Sequence, residues 1–319
     1  MRAVCVLGTG LIGGSLMRAA TRAGREVWGT AASEGTAAAA VADGFDVTTD
    51  TDAALARAAE ADALVVVAVP LTALEPVLGR IDAIAPTCRL TDAVSVKVAV
   101  ADAVADFAPR TRYVGGHPMA GTAESGWAAG EVDLFGGTAW VVAADDGLDL
   151  DVWRDVAELA WACGSRVVPA AIDEHDAAVA RVSHLPHLLA AVLASVGAGE
   201  QSTGADDLAL ALSAGSFADG TRVAGTRPEL VLAMCEGNRA PLLAAVDDAL
   251  GRLGAMRGAL ASTGGLSATV RSGYEARMRW ASTRDPLELA VSFDRDPGTV
   301  LAELRELGRR GDVVEPWKA

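Results

Sequence analysis

The stretch Ala3-Val4-Cys5-Val6-Leu7-Gly8-Thr9-Gly10-Leu11-Ile12-Gly13 decides the fold. Five apolar residues read as a short buried strand, a glycine-rich turn follows at once, and Gly14-Ser15-Leu16-Met17-Arg18 continues as a helix. Strand, turn and helix in this order make the glycine spacing a dinucleotide fingerprint. Gly8 permits the tight turn, Gly10 lets the backbone approach a pyrophosphate, and Gly13 allows the helix to pack closely. The anion would rest on the amides that open the helix, around Leu11 and Ile12.

About 20 residues further on, an acidic group normally binds the adenosine ribose diol. Here the chain reads Thr30-Ala31-Ala32-Ser33, so Thr30 and Ser33 are the candidate contacts. No carboxylate stands there to repel a 2′-phosphate, and no arginine to pair with one. NAD and NADP both remain open as the cofactor.

Beyond the fingerprint, strand-like runs at 4–7, 26–29, 63–69, 88–92, 113–115, 139–143 and 166–169 alternate with alanine-rich helical stretches. That rhythm predicts βαβ units in a parallel, doubly wound sheet, an α/β fold of Rossmann type. Ligands in such sheets lie beyond the carboxyl ends of the strands. The fingerprint, Val69-Pro70, residues 92–97 and His117 are each expected to follow a strand, so they should converge on one crevice, with Val69 and Pro70 against the cofactor.

From about residue 172 long helical stretches take over, at 174–197, 206–214 and 227–261. The expected organisation is a dinucleotide-binding domain over 1–171, then an all-helical substrate and dimerisation domain over 172–319. A short strand-helix tail, from about 265, would complete it through 287–293 and 297–309. Asp173-Glu174-His175-Asp176 has helix-opening character, its acids opposing the helix dipole. Residues 188–196 carry too many apolar positions for one stripe, and burial by a second copy in a homodimer is the natural solution.

Composition narrows the function. The 319 residues are 51% apolar, with mean hydropathy +0.29, enough to build two cores. A net charge of −15 argues against nucleic acid or an anionic membrane as a general partner. The longest apolar run, near 63–74, is interrupted by Pro70 and falls short of the roughly 18 residues that a membrane span needs. Cys5, Cys88, Cys163 and Cys235 form no CxxC pair and sit in apolar surroundings, so reduced thiols and a cytoplasmic location are expected.

A second segment, Gly115-Gly116-His117-Pro118-Met119-Ala120-Gly121-Thr122, sets an imidazole among residues that let ligand and backbone come close. The other reading is a glycine-rich turn with a buried histidine. His184 and His187 bracket Leu185-Pro186 at a helix start. They can be metal ligands, core histidines or polar pocket lining, and a third metal ligand at recognisable spacing is missing. Arg222 reads either as a fork for a carboxylate or as a helix-end partner of Asp219.

Taken together, the fingerprint, Thr91-Asp92-Ala93-Val94-Ser95-Val96-Lys97, residues 116–122, Asp173-Glu174-His175-Asp176, Ser183-His184-Leu185-Pro186-His187 and Asp219-Gly220-Thr221-Arg222-Val223-Ala224 resemble the prephenate and arogenate dehydrogenases of tyrosine biosynthesis. The resemblance runs to about residue 260. It implies an NAD- or NADP-dependent enzyme that oxidatively decarboxylates a small cyclohexadiene substrate. By resemblance His117 meets the ring hydroxyl as a neutral imidazole with an ordinary pKa of about 6.5. Ser95 stands between that hydroxyl and the nicotinamide. Arg222 takes a substrate carboxylate, and Thr122, His187 and His184 line the pocket, with no metal.

Two departures touch substrate preference. Ala123 stands where some relatives have glutamate directly after the Gly-Thr pair, with Glu124 one place later. Val231 stands where others have a tryptophan three residues past Pro228. Other readings of this architecture are a β-hydroxyacid dehydrogenase, an imine reductase and a non-catalytic dinucleotide sensor. The lysine chemistry of some such enzymes is disfavoured, because no lysine occurs between Lys97 and Lys318.

Overall fold

The computed structural model describes residues 1–122, 124–199, 206–262, 264–283 and 285–317. The chain forms two compact units. One comprises Met1–Asp176 together with the stretch from Glu288 onward, and the other is Ala177–Leu287.

The first unit holds two sheets. In the larger, β1 (Val4–Leu7), β2 (Val27–Thr30), β3 (Asp46–Thr48), β4 (Leu64–Val67), β5 (Arg89–Asp92) and β6 (Arg112–Tyr113) run parallel in the order 3-2-1-4-5-6. This is the Rossmann order, which places a topological switch at β1 and β4. Alternation divides the strands between two cores. Val4, Val6, Leu64 and Val66 enter one, Cys5, Leu7, Val65 and Val67 the other, which is why these strands read as continuous apolar runs.

The second sheet comprises β7 (Gly116–Pro118), β8 (Ala139–Ala143), β9 (Arg166–Ala170), β10 (Glu288–Leu289) and β11 (Val313–Val314), in the order β10-β11-β9-β8-β7. The expectation of one parallel sheet is therefore corrected. β7 is antiparallel to β8, and β11 is antiparallel to β9. β7 escaped notice because it is three residues long and carries glycine and proline, which an edge strand tolerates.

The domain division expected from sequence also differs from the compact units. The tail from Glu288 belongs to the first unit, where helix Pro297–Arg309 buries Val300, Leu301, Leu304 and Leu307. Trp317 packs edge-on against Trp161 at 4.4 Å and donates to Glu158 at 3.0 Å. Two-residue strands carry no periodicity, so chain order alone could not assign the tail to a sheet begun at Gly116.

Gly308 is the close contact in this docking. A Cβ there would lie 1.7 Å from the carbonyl oxygen of Pro169 on β9. Gly308→Ala should therefore displace the helix and lower stability by about 1–3 kcal/mol. Thermal unfolding checks this against Gly79→Ala, where nothing lies within 4 Å of the new methyl. The control should be neutral or slightly stabilising, and equal melting temperatures for the two variants would contradict the packing argument.

The second unit is helical. Helix Ile172–Val179, whose residues up to Asp176 belong to the first unit, passes through a π turn, Ala180–His184, into helix Leu185–Ala198, and Pro228–Gly237, Arg239–Leu260 and Ser267–Ala281 follow. By length and composition, the span Ile172–Ala198 is apolar enough to cross a membrane, and 22% of its most apolar window is buried. No unbroken apolar run marks it in the sequence, because Asp173, Glu174, His175, Asp176 and Arg181 interrupt the pattern. Among the described residues, most exposed large apolar side chains belong to this unit, Val192, Val196, Leu212, Leu243, Leu260 and Trp280 among them.

Candidate active site

The fingerprint folds as its spacing requires. Gly8 adopts φ +99°, and a Cβ there would meet the Ala68 carbonyl at 2.7 Å and a Val69 methyl at 2.8 Å. At Gly13 a Cβ would lie 1.9 Å from the Gly8 carbonyl. Gly10 differs, since an added Cβ would meet nothing within 4 Å. It caps helix Leu11–Arg22, whose first turn has no acid and includes half-buried Leu11 and Ile12. An open, uncharged helix N-terminus reached by bare backbone fits a pyrophosphate. The segment that follows β4, with Val69 and Pro70, lies against Gly8.

At the end of β2, Thr30 is buried and its carbonyl accepts from the Gly8 amide at 3.0 Å. The Ser33 hydroxyl caps helix Glu34–Ala42, accepting from the Thr36 amide at 3.2 Å and donating to the Thr36 hydroxyl at 2.9 Å. Its local role is thus capping.

Beyond β5, Asp92 and the following loop build the wall of the site. Asp92 accepts from the Lys97 ammonium, from the Tyr113 hydroxyl at 2.7 Å and from the Val94 amide at 2.8 Å. Lys97 also donates to the Gly116 carbonyl at 2.7 Å, which joins the peptide leading into His117. Lys97 and Asp92 are both about 1% exposed. Burial pushes the lysine below its ordinary pKa against the pull of Asp92, and burial followed by the charge of Asp92 pushes Tyr113 well above its own. Ser95 lies half-buried on this loop.

His117 is half-buried and lies within β7, not directly after a strand of the parallel sheet as expected. Its Nδ1 is 2.8 Å from Nε2 of His175, and Nδ1 of His175 is 2.8 Å from Oδ1 of Asp176. Asp176 accepts from the Lys97 amide at 2.8 Å and the Val98 amide at 2.9 Å, where helix Val98–Phe107 begins. Burial raises the Asp176 pKa, but the bonds from His175 and the two amides outweigh it and hold the carboxyl below its ordinary value. From sequence these two residues read as helix-opening groups and as part of a family motif, with no role assigned to them at His117.

Thr122 is exposed, and its hydroxyl accepts from the Glu124 amide at 3.2 Å. Ala123 lies outside the described residues. Further along, the loop is pinned by Trp127, which donates to Asp43 at 2.7 Å and carries the Arg18 guanidinium 3.7 Å above its ring.

In the second unit, His184 is buried with Nδ1 3.0 Å from the Asn238 amide nitrogen, which gives it a core role. His187 is half-buried, and its Nδ1 has no hydrogen-bond partner among the described residues. Arg222 is exposed at the start of the turn Arg222–Gly225 and forms no ion pair with Asp219 among the described residues. Val231 packs against the core made by Ala180, Cys235, Leu242 and Ala245.

A Rossmann sheet with a bare-backbone anion cradle, and an imidazole held beside the end of β5, define a nicotinamide-dependent oxidoreductase. Residues 15–169 match the family model described as "Prephenate dehydrogenase, nucleotide-binding domain", and residues 171–265 match "Prephenate dehydrogenase, dimerization domain". The chain belongs to the prephenate dehydrogenase family. The fingerprint glycines precede the first matched residue, so their assignment rests on the geometry above.

A cyclohexadienyl dehydrogenase of Zymomonas mobilis is 32% identical over 65% of this chain and 70% of its own length. A prephenate dehydrogenase of Bacillus subtilis is 30% identical over 71% of this chain, a match that spans 62% of that protein. Among solved structures, a Corynebacterium glutamicum protein assigned as a prephenate dehydrogenase is 44% identical, with TM-score 0.91 and 99% of each chain covered. The arogenate dehydrogenase of Synechocystis is 27% identical, with TM-score 0.75, 87% of this chain and 99% of its own.

Proposed function

We propose that the protein catalyses the NAD- or NADP-dependent oxidative decarboxylation of prephenate, arogenate or both, as a cytoplasmic homodimer. The observation that carries this reading is His117, fixed in edge strand β7 by a buried chain of partners and tied through Gly116 to the loop that follows β5. That loop and the fingerprint follow neighbouring parts of one parallel sheet, where a dinucleotide and its reaction partner meet.

The bound dinucleotide supplies the hydride acceptor. The residues of this chain do the rest. Gly8, Gly10 and Gly13, with the amides around Leu11 and Ile12, hold the pyrophosphate, while Thr30, Ser33, Val69 and Pro70 border the same cofactor. His117 accepts the ring hydroxyl proton as that carbon becomes a carbonyl, and Ser95 holds the same oxygen in line. Loss of carbon dioxide from the opposite ring carbon then returns electrons to the oxygen, which takes its proton back from His117 as the ring becomes aromatic. Arg222 grips a substrate carboxylate, Thr122 and His187 border the substrate, and buried His184 supports His187 from the core behind it. The exposed apolar face of the second unit is the surface that a second copy covers.

The test is nicotinamide reduction with prephenate and with arogenate, each paired with NAD and with NADP. Turnover in any pairing supports the reading and names the selectivity. No turnover in all four, with dinucleotide still bound, overturns it. Arg222→Gln should raise the substrate KM at least tenfold while changing kcat less, because a charged bidentate contact is worth about 1.5–3 kcal/mol. An unchanged KM would remove Arg222 from the carboxylate.

A further inference from the structure

We infer that His175 and Asp176 are positioning residues that lock His117 into one tautomer and stabilise it while it carries the substrate proton. The inference rests on the oxidative decarboxylation proposed above. With His175 neutral, the geometry sets the direction of each bond. Asp176 is a carboxylate and can only accept, so the proton between it and His175 lies on Nδ1 of His175. Nε2 of neutral His175 then has a lone pair and accepts from Nδ1 of His117. His117 is left with its own lone pair on Nε2, the nitrogen that can take a hydroxyl proton.

Both members of the pair are buried, with side chains about 2% exposed. Asp176 is further fixed by the amides of Lys97 and Val98, so the anchor of the chain is a helix N-terminus and does not depend on a mobile side chain. The rings of His117 and His175 meet at 77° with centroids 5.0 Å apart, which suits an in-plane nitrogen-to-nitrogen bond and excludes stacking.

Whether the chain conducts protons or only holds His117 follows from the balance of the reaction. The substrate loses a hydride to the dinucleotide and neutral carbon dioxide from its ring carboxylate. Its charge therefore rises by one with no net proton released. The hydroxyl proton goes to His117 and returns to the same oxygen, and nothing need travel on to solvent. Holding is sufficient.

Other charged and titratable groups also surround the chain: Asp92 and Lys97 at the end of β5, Tyr113 on β6, Asp173 and Glu174 on the helix that carries His175, and Asp145 after β8. Asp92 and Lys97 offset one another within their own pair. The charge hydrogen-bonded to the histidine chain is that of Asp176.

Nuclear magnetic resonance of the 15N-histidine-labelled wild-type protein tests the assignment directly, since the chain has only four histidines. At neutral pH, His117 and His175 should both carry the proton on Nδ1. A His117 protonated on Nε2 would overturn the inference.

The second measurement is the pH profile of kcat for His175→Phe, which keeps a ring of similar volume and removes both hydrogen bonds. Protonated His117 cannot accept, so activity should rise with pH as its imidazolium loses its proton, and a chain that accepts from Nδ1 favours that imidazolium. In the variant the acidic limb should move down by about one pH unit, and kcat should fall by about tenfold or more. Substrate KM and dinucleotide Kd should stay within about twofold. An unmoved acidic limb would reduce His175 to packing. If wild-type protein turns over none of the four substrate pairings, the functional reading fails, and the tautomer result still stands or falls by itself.

Discussion

His117→Asn should lower kcat by about a hundred- to ten-thousand-fold, the range that a positioned proton acceptor supplies, and leave dinucleotide affinity nearly unchanged. Asparagine keeps a polar group near Nδ1 and can still meet His175, so β7 and the buried chain behind it should survive. It has no basic lone pair at the position of Nε2. The oxidation must then form a carbonyl while the hydroxyl proton has no acceptor, and the penalty falls on the transition state and not on binding. The pyrophosphate cradle at Gly8, Gly10 and Gly13 is built from other parts of the chain. Steady-state kinetics with a dinucleotide titration would decide. Turnover within a few-fold of wild type would exclude His117 from the chemistry.

Lys97→Met should cost about 3–5 kcal/mol of stability by leaving Asp92 buried without its countercharge. For a unit of this size that corresponds to a fall in Tm of roughly 10 °C. The loss arises because Asp92 has nowhere to shed its charge cheaply. It still accepts from Tyr113 and Val94, and the Gly116 carbonyl loses its donor as well. Adding Asp92→Leu to Lys97→Met should recover part of the stability, since removing both charges cancels the uncompensated one. Recovery should be incomplete, because the Tyr113 hydroxyl and the Val94 amide are then stranded. A single variant that melts within about 2 °C of wild type would mean that the pair is not buried as described.

What could be read from sequence and what could not differ in a physical way. The fingerprint was legible because its three glycines answer local demands: a positive φ, a bare helix end and a helix-to-strand contact all fall within six residues. The strands of the parallel sheet were legible because burial on both faces leaves unbroken apolar runs. β7 was not, because a three-residue edge strand containing proline has no pattern to show. The partnership of His117 with His175 spans 58 residues, and the local surroundings of His175 and Asp176, acids at the start of a helix, had a sufficient explanation of their own. Lys97 and Asp92 were noticed as parts of a motif, but nothing in their five-residue spacing reveals a buried ion pair. At Ser33 the sequence position suggests the cofactor, while the capping bond of its hydroxyl to the helix behind it shows only in the structure.

The return of the chain to β9 after the helical unit has a bearing on how the molecule is made. The ribosome releases β1 to β9 first, then the more than one hundred residues that include the helical unit, and only afterwards the strand and helix that flank β9. Until then the β9 edge of the second sheet is unpaired, and its partner groove for Pro297–Arg309 is open to water. A chain stopped shortly before residue 288 would present that edge to any neighbour able to add a strand. Closing the sheet that carries His117 thus waits for residues 288–314, more than a hundred positions after β9.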